Sequence, residues 1–418
     1  MSRHISATRL VSLKRQLPAP DVLKDLLKFQ APAIDRRKAR LEAAKDIWDL
    51  RAIAQRRTPK GPFDYVDGAA EKELSLQRAR EAYDNLAFNP QVLKNVRDVD
   101  LSTQLAGAPS AFPLAIAPTG FTRMMHAEGE LGGIAAAHRF GIPFTLSTMG
   151  TETIEDVAAA GPSGRRWFQL YLWQKNRSKA SELIERAAQA GYDTLMVTVD
   201  TPVAGARHRD ARNGMTFPPK LTPATVINAS YRPEWWFNFL TTRPLGFTNF
   251  GEGTQSIQQI GSMFDPTLTY EDLSWLRAQW PGQLLVKGVQ TAQDALLSVE
   301  AGADGVVLSN HGGRQLDRAP VPLYTLPAVR EAIGNEPTVL IDTGIMSGAD
   351  VIAAVALGAN GAMIGRAYLY GLMAGGAEGV VRALEIFTQE MTRTVQLLGV
   401  SQLSELNSQH VSLDWRAR

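Results

Sequence analysis

The sequence predicts an α/β fold, a TIM (β/α)8 barrel with an N-terminal helical extension and a long loop after strand 4. Three observations carry this. From Phe112 onward the chain repeats a strand, loop, helix rhythm eight times. Many of the strand segments are unbroken apolar runs, the pattern of strands covered on both faces. The chain has 418 residues and is 44% apolar, enough to bury one barrel-sized core. An open doubly wound sheet is the rival architecture, but its GxGxxG fingerprint after the first strand is missing.

Residues 1–45 read as one or two amphipathic helices, with Val22, Leu23, Leu26 and Leu27 on an apolar side and lysines between them. A helical stretch over 46–56 is interrupted by Thr58 and Pro59, and a turn around Asp67 and Gly68 leads into another helix. Tyr65, just before that turn, is either a core aromatic or a residue facing a cleft. Together these make a helical extension over 1–105. The barrel then spans 106–400, with strands at 114–117, 144–147, 168–171, 194–199, 284–287, 305–309, 338–342 and 361–364. Helical patterns follow them at 130–140, 153–160, 179–190, 271–279, 292–301, 326–333, 349–357 and 377–398, and 401–418 is a tail. The stretch 213–270 is too long for an ordinary barrel loop. Its Trp235, Trp236, Phe237, Phe239 and Phe247 suit a lid with its own small core, or an interfacial patch resting on a membrane.

Composition narrows the chemistry. There is no cysteine, which excludes disulfides, thiolate catalysis and cysteine-held zinc or iron–sulfur clusters. No signal peptide and no run of about 18 apolar residues is read, so a cytoplasmic protein is expected. The net charge of +2 hides an asymmetry: residues 1–60 hold 15 Lys or Arg against 6 Asp or Glu. Such a basic start fits a solvated face or a subunit contact, with anionic lipid or nucleic acid as the alternatives. No nucleic-acid partner and no metal site is expected. His208 is assigned to a solvated loop, and His126 and His138 to peripheral helices.

The most informative stretch is DGVVLSNHGGRQLD at 304–317. A strand-type run, Val306 to Leu308, stops at polar and glycine residues, so a buried strand delivers His311 and Arg314 to a sheet end. A plain solvent-facing turn is the alternative for this stretch alone. The other strand ends share the character. They carry Pro118, Thr119 and Gly120; Ser147; Gln169 and Tyr171; Thr198 and Asp200, then Arg207; Lys287; Asp342 and Gly344; Gly365 and Arg366. Ser347 and Gly348 open the helix after the seventh strand. Amides after the last two strands would make a phosphate seat. Asp200 could alternatively cap a loop, and Gln169 and Tyr171 could belong to the barrel interior.

SNHGGRQLD, supported by FDYVDGAAE, APTG, WFQLY, TVDTP and LVKG, resembles the FMN-dependent 2-hydroxy acid dehydrogenase and oxidase family. The likeness runs from about residue 46 to the last helix. DTGIMSGAD and IGRAYLYGLMAGG look nearest to its actinobacterial, respiratory L-lactate dehydrogenase branch. The resemblance implies FMN as cofactor and a homotetramer. It gives Tyr65, Tyr171, Arg207 and Arg314 the substrate carboxylate and hydroxyl, His311 the role of base and Asp200 that of its charge partner. Lys287 falls beside flavin N1 and O2. Pro118, Thr119, Gly120, Ser147, Gln169 and Thr198 fall on the isoalloxazine, and Ser309, Asp342, Gly344, Gly365 and Arg366 on the ribityl phosphate. Imidazole titrates near neutrality, which suits a general base, and two arginines can clamp a carboxylate. His311 serves whether hydrogen leaves C2 as hydride or as a proton.

Three departures shape the rest of the expectation. Many relatives carry arginine where Met346 stands, so less charge would face the FMN phosphate. Family members that take glycolate have bulkier residues at Met149 and Ala204, which makes room here for L-lactate or a longer aliphatic or aromatic (S)-2-hydroxy acid. Gly120 is often alanine in the oxidases and glycine in membrane-linked dehydrogenases. With the aromatic insertion and the basic start, that points to a quinone acceptor and peripheral contact with the inner face of the plasma membrane. Oxygen as acceptor, a different phosphate-binding barrel enzyme, and a noncatalytic membrane-surface protein are the alternatives.

Overall fold

A computed structural model describes residues 34–172, 177–214, 230–250 and 264–413, with single positions at 19, 20, 22, 23 and 227. Most of the expected helices of 1–45, including Leu26 and Leu27, and parts of the 213–270 loop lie outside the described residues. The chain divides into two units, Met1–Arg40 and Leu41–Arg418, and the barrel belongs to the second.

Local chemistry sets the extension. Helix α1, Ile47–Arg57, starts where the Asp46 carboxylate accepts from the Asp49 amide at 2.8 Å, and closes with two arginines in its last turn. Thr58 is extended ahead of Pro59, as a residue preceding proline tends to be. The chain restarts as α2, Lys60–Asp67, and then α3, Leu74–Asp84. Asp67 joins these pieces to the barrel side. It takes a two-pronged bond from Arg51 (2.6 and 2.9 Å), a third from Arg209 (3.0 Å) and a fourth from the Tyr370 hydroxyl (2.9 Å).

The eight barrel strands are β1 Leu114–Ile116, β2 Phe144–Ser147, β3 Arg166–Leu170, β4 Thr194–Thr198, β5 Gln283–Val289, β6 Gly305–Leu308, β7 Thr338–Ile341 and β8 Gly361–Ile364. All pair in parallel, each with its sequence neighbour, and β8 closes on β1 through Ala362 and Leu114. Because the strands alternate faces, Ala115, Trp167, Met196, Leu285, Val307, Leu340 and Met363 fill the interior. A hairpin unread in the sequence, Thr103–Leu105 with Ala108–Ser110, adds Leu105 and Ala106 to that core. The outer strand faces pack under helices in a second, larger core.

The last helical pattern, 377–398, follows a shorter helix that starts at Arg366; the two run on as Arg366–Leu398 but are separated at Gly375 and Gly376, whose backbone is not helical (Gly376 φ +64°). Two further helices matter for the site: α4, Pro233–Thr241, and α5, Gly348–Ala356, with Arg366–Leu398 as α6. In the tail, Val411–Ser412 pairs antiparallel with Ala87–Phe88 of the extension.

Candidate active site

Every barrel strand ends on one side, and the loops there enclose a cavity of about 1960 Å³. After β6 the chain turns hard: His311, Gly312 and Gly313 have φ of 57°, 63° and 75°. For a histidine that region is strained, and local bonds hold it there. The His311 amide donates to Ser309 Oγ (2.9 Å), and the Gly313 amide to Asn310 Oδ1 (2.9 Å). The turn presents the His311 imidazole to the cavity, with Nδ1 at 3.0 and 3.2 Å from the two Asp200 oxygens.

Asp200 itself does not line the cavity; it sits behind His311. Burial works against its charge, but His311 and then Lys287 more than reverse this and hold its pKa below the ordinary value. Its close approach needs Gly288, whose φ is +104°, since a Cβ there would fall 2.6 Å from Asp200 Cβ. The β5–β6 register slips at the same place, between Lys287 and Val289. Lys287 is 3% exposed, and its Nζ lies 3.0 Å from Ser309 Oγ and 3.0 Å from Asp342 Oδ2. Burial would lower its pKa, but Asp342 and Asp200 raise it, so it stays an ammonium.

A cationic pair lies beside His311. The Arg314 guanidinium sits 4.7 Å and that of Arg207 5.4 Å from the centre of the Tyr65 ring. Arg314 also donates to the carbonyls of Tyr65 and Gly68, tying β6's turn to α2. Burial, then the charge of Arg207, pulls the Arg314 pKa down to about 10, against the opposing pull of Asp210, and leaves it charged at neutral pH. Asp210 is 3.4 Å from Arg207. Tyr171, buried enough to push its pKa up, meets Phe264 edge to face at 6.3 Å. Met149 and Ala204 line the same cavity.

The match of residues 54–413 to the family model for FMN-dependent dehydrogenases decides the matter. The chain belongs to the FMN-dependent dehydrogenase family. A Mycobacterium tuberculosis protein provisionally named L-lactate dehydrogenase is 53% identical over 96% of this chain and 97% of its own. The L-lactate dehydrogenase of Pectobacterium atrosepticum is 41% identical over 86% and 95%. Among solved structures, the monotopic membrane protein (S)-mandelate dehydrogenase superposes with a TM-score of 0.85 at 35% identity, covering 89% of this chain and all of that one.

The cavity of this FMN-dependent dehydrogenase fits its cofactor at both ends. Helix α6 opens at Arg366 with no side chain capping it, and a Cβ on Gly365 would meet nothing closer than 3.9 Å. Its first amides are thus available to a phosphate. At the other end the Lys287 ammonium lines the cavity, while Gln169 Nε2 and Thr198 Oγ1, outside its lining, are buried with no hydrogen-bond partner among the described residues. Pro118, Thr119, Gly120, Ser147, Lys287, Asp342, Gly344, Gly365 and Arg366 line the cavity; Gln169, Thr198 and Ser309 lie one layer behind.

One expectation is corrected. The helix opened by Ser347 and Gly348 has its amides already taken: Asp350 accepts from Met346 (2.8 Å) and Ser347 (3.0 Å), and Glu390 from Gly348 (2.7 Å). The amides that open α5 are filled by the protein's own carboxylates, whereas α6 opens with no side-chain cap. The Arg366 guanidinium, too, is engaged, donating to the carbonyls of Val66, Gly68 and Gly312. Sequence reasoning missed Arg80, which lines the cavity while bonding Gly344 O and Asp350 (both 2.6 Å), and missed Asp210, Phe121 and Phe264. Arg80 sits mid-helix with nothing in its neighbours to mark it. His208 and His138 are exposed and His126 is half-buried at a helix end.

Proposed function

We propose that this enzyme oxidises an (S)-2-hydroxy acid, L-lactate to pyruvate first among them, and passes the electrons to a quinone. The observation that carries the reading is one cavity faced by an imidazole backed by a buried carboxylate and by two crowded guanidiniums. Arg207 and Arg314 supply the positive charge that a carboxylate needs, and their stacking on Tyr65 fixes its direction. With Nδ1–H donated to Asp200, the imidazole lone pair lies on Nε2, ready to accept the hydroxyl proton. Asp200 then stabilises the imidazolium. The Tyr65 and Tyr171 hydroxyls orient the substrate oxygen. When bound, FMN supplies a two-electron store beside Lys287, whose ammonium favours negative charge there.

The names of the relatives at 53% and 41% identity support L-lactate. Met149, Ala204 and Phe264 bound the space for the substrate side chain. Peripheral membrane contact is supported by the monotopic neighbour and by Phe237 and Leu240, which are 68% and 71% exposed. Among the described residues no helix is long and apolar enough to cross a membrane. The family resemblance supports a homotetramer, and light scattering is the measurement that tests it.

The decisive experiment is anaerobic stopped-flow reduction of the FMN holoenzyme by a stereochemically resolved panel of 2-hydroxy acids. L-lactate should bleach the flavin fastest and D-lactate not at all. A panel in which no 2-hydroxy acid bleaches it would reject the reading.

A further inference from the structure

One wall of the cavity takes no part in the donor chemistry. Phe121, next to Gly120, is held at φ +56°, a costly conformation for a phenylalanine, with its amide donating to Met149 O at 3.1 Å. Its ring meets Tyr65 edge-on at 6.1 Å and Phe247 at 4.5 Å. On α4, Trp235 and Phe239 stack at 4.9 Å with planes 10° apart, and Trp235 Nε1 donates to Met124 O at 2.9 Å, which ties the helix to the loop after β1. Phe121, Met124, Trp235, Phe239 and Leu245 all line the cavity. Leu240 does so as well while remaining largely exposed, so the apolar lining continues to the surface, where Phe237 of the same helix lies open.

A substrate with a methyl side chain, its carboxylate on Arg207 and Arg314, has no use for such a wall. The wall suits a planar, uncharged ring that stacks on aromatics and carries a long apolar tail needing an exit. We propose that this aromatic recess binds the electron acceptor, taking a quinone ring against Phe121, Met124 and the Trp235–Phe239 pair, with its isoprenoid tail leaving past Leu240 and Phe237. This rests on the acceptor part of the proposed function and gives it a location. Electrons and atoms balance between the two organic molecules. The donor's C2–H and O–H bonds break as its C–O bond becomes double, and the same two electrons and two protons form two O–H bonds on the quinone.

The test uses FMN holoenzyme, wild type and Phe239→Ala, with decylubiquinone as probe and ferricyanide as a small polar acceptor. In Phe239→Ala the half-saturating decylubiquinone concentration should rise about tenfold, roughly the loss of one stacked aromatic contact. Flavin reduction by L-lactate and turnover with ferricyanide should stay within about twofold. Quenching of tryptophan fluorescence by decylubiquinone in the oxidised holoenzyme should weaken by the same factor, without turnover. Circular dichroism and a melting curve check that the variant folds, and Phe239→Leu serves if it does not. An unchanged half-saturating concentration and unchanged quenching would overturn the proposal. So would a selective loss of affinity for a phenyl-bearing 2-hydroxy acid, which would assign the recess to the donor side chain. If L-lactate fails to bleach the flavin, the donor reading falls; photoreduced holoenzyme then still reports reoxidation by decylubiquinone.

Discussion

Replacing Asp200 by asparagine tests the catalytic reading at its most sensitive point. The side chain is buried, and His311 Nδ1 stands 3.0 Å from one of its oxygens and 3.2 Å from the other. At an effective dielectric of about 20, an imidazolium and a carboxylate at that separation attract by about 5 kcal/mol. Asparagine keeps the shape and one acceptor oxygen but loses the charge, so roughly half of that, about 3 kcal/mol, should be missing when His311 holds the substrate proton. At 1.4 kcal/mol per decade this is on the order of a hundredfold in the reduction step. The anaerobic reduction rate constant with L-lactate should therefore fall about a hundredfold while the substrate dissociation constant changes little, because Arg207 and Arg314 are untouched. FMN content and circular dichroism establish that the protein is intact. A rate constant within threefold of wild type would refute the argument that Asp200 stabilises the charged imidazole.

Three other perturbations bear on the site's supports. Burial alone would raise the Asp67 pKa, but Arg51 first, then Tyr370 and Arg209, reverse this and hold it below the ordinary 3.8. The stability it contributes is full above that value and is lost as pH falls through the lower folded-state value. Asp67→Asn should cost about 2–3 kcal/mol at neutral pH, discounted for the partial exposure of Arg51. Urea midpoints of the two proteins should converge in the acid window below 3.8. Gly120→Ala would put a Cβ 2.8 Å from Met149 Cβ, so differential scanning calorimetry should register a loss of about 1–3 kcal/mol, together with looser flavin. Met346→Arg adds a cation at a cavity-lining position where Arg80 is already neutralised by Asp84 and Asp350. It should tighten FMN about tenfold at low salt and less at high salt, measured by fluorescence of released flavin, and an unchanged affinity would show that α6 suffices.

The sequence by itself determined the barrel and the side of it that carries chemistry. An apolar run that breaks at polar and glycine residues is a local signal, and it recurs at 308–314, 198–200 and 364–366, so the strands and the residues at their ends could be read together. His311, Arg314, Lys287 and Arg207 were legible in that way. Tertiary structure alone decided which amides stay open, because Gly348 loses its amide to Glu390, 42 residues away. Tertiary structure alone also seats Tyr65 beneath two guanidiniums, one of them 249 residues distant, and gives α4 an aromatic face on the cavity. Such pairings depend on side chains meeting across separate elements, and neither periodicity nor spacing along one segment encodes which distant partner arrives.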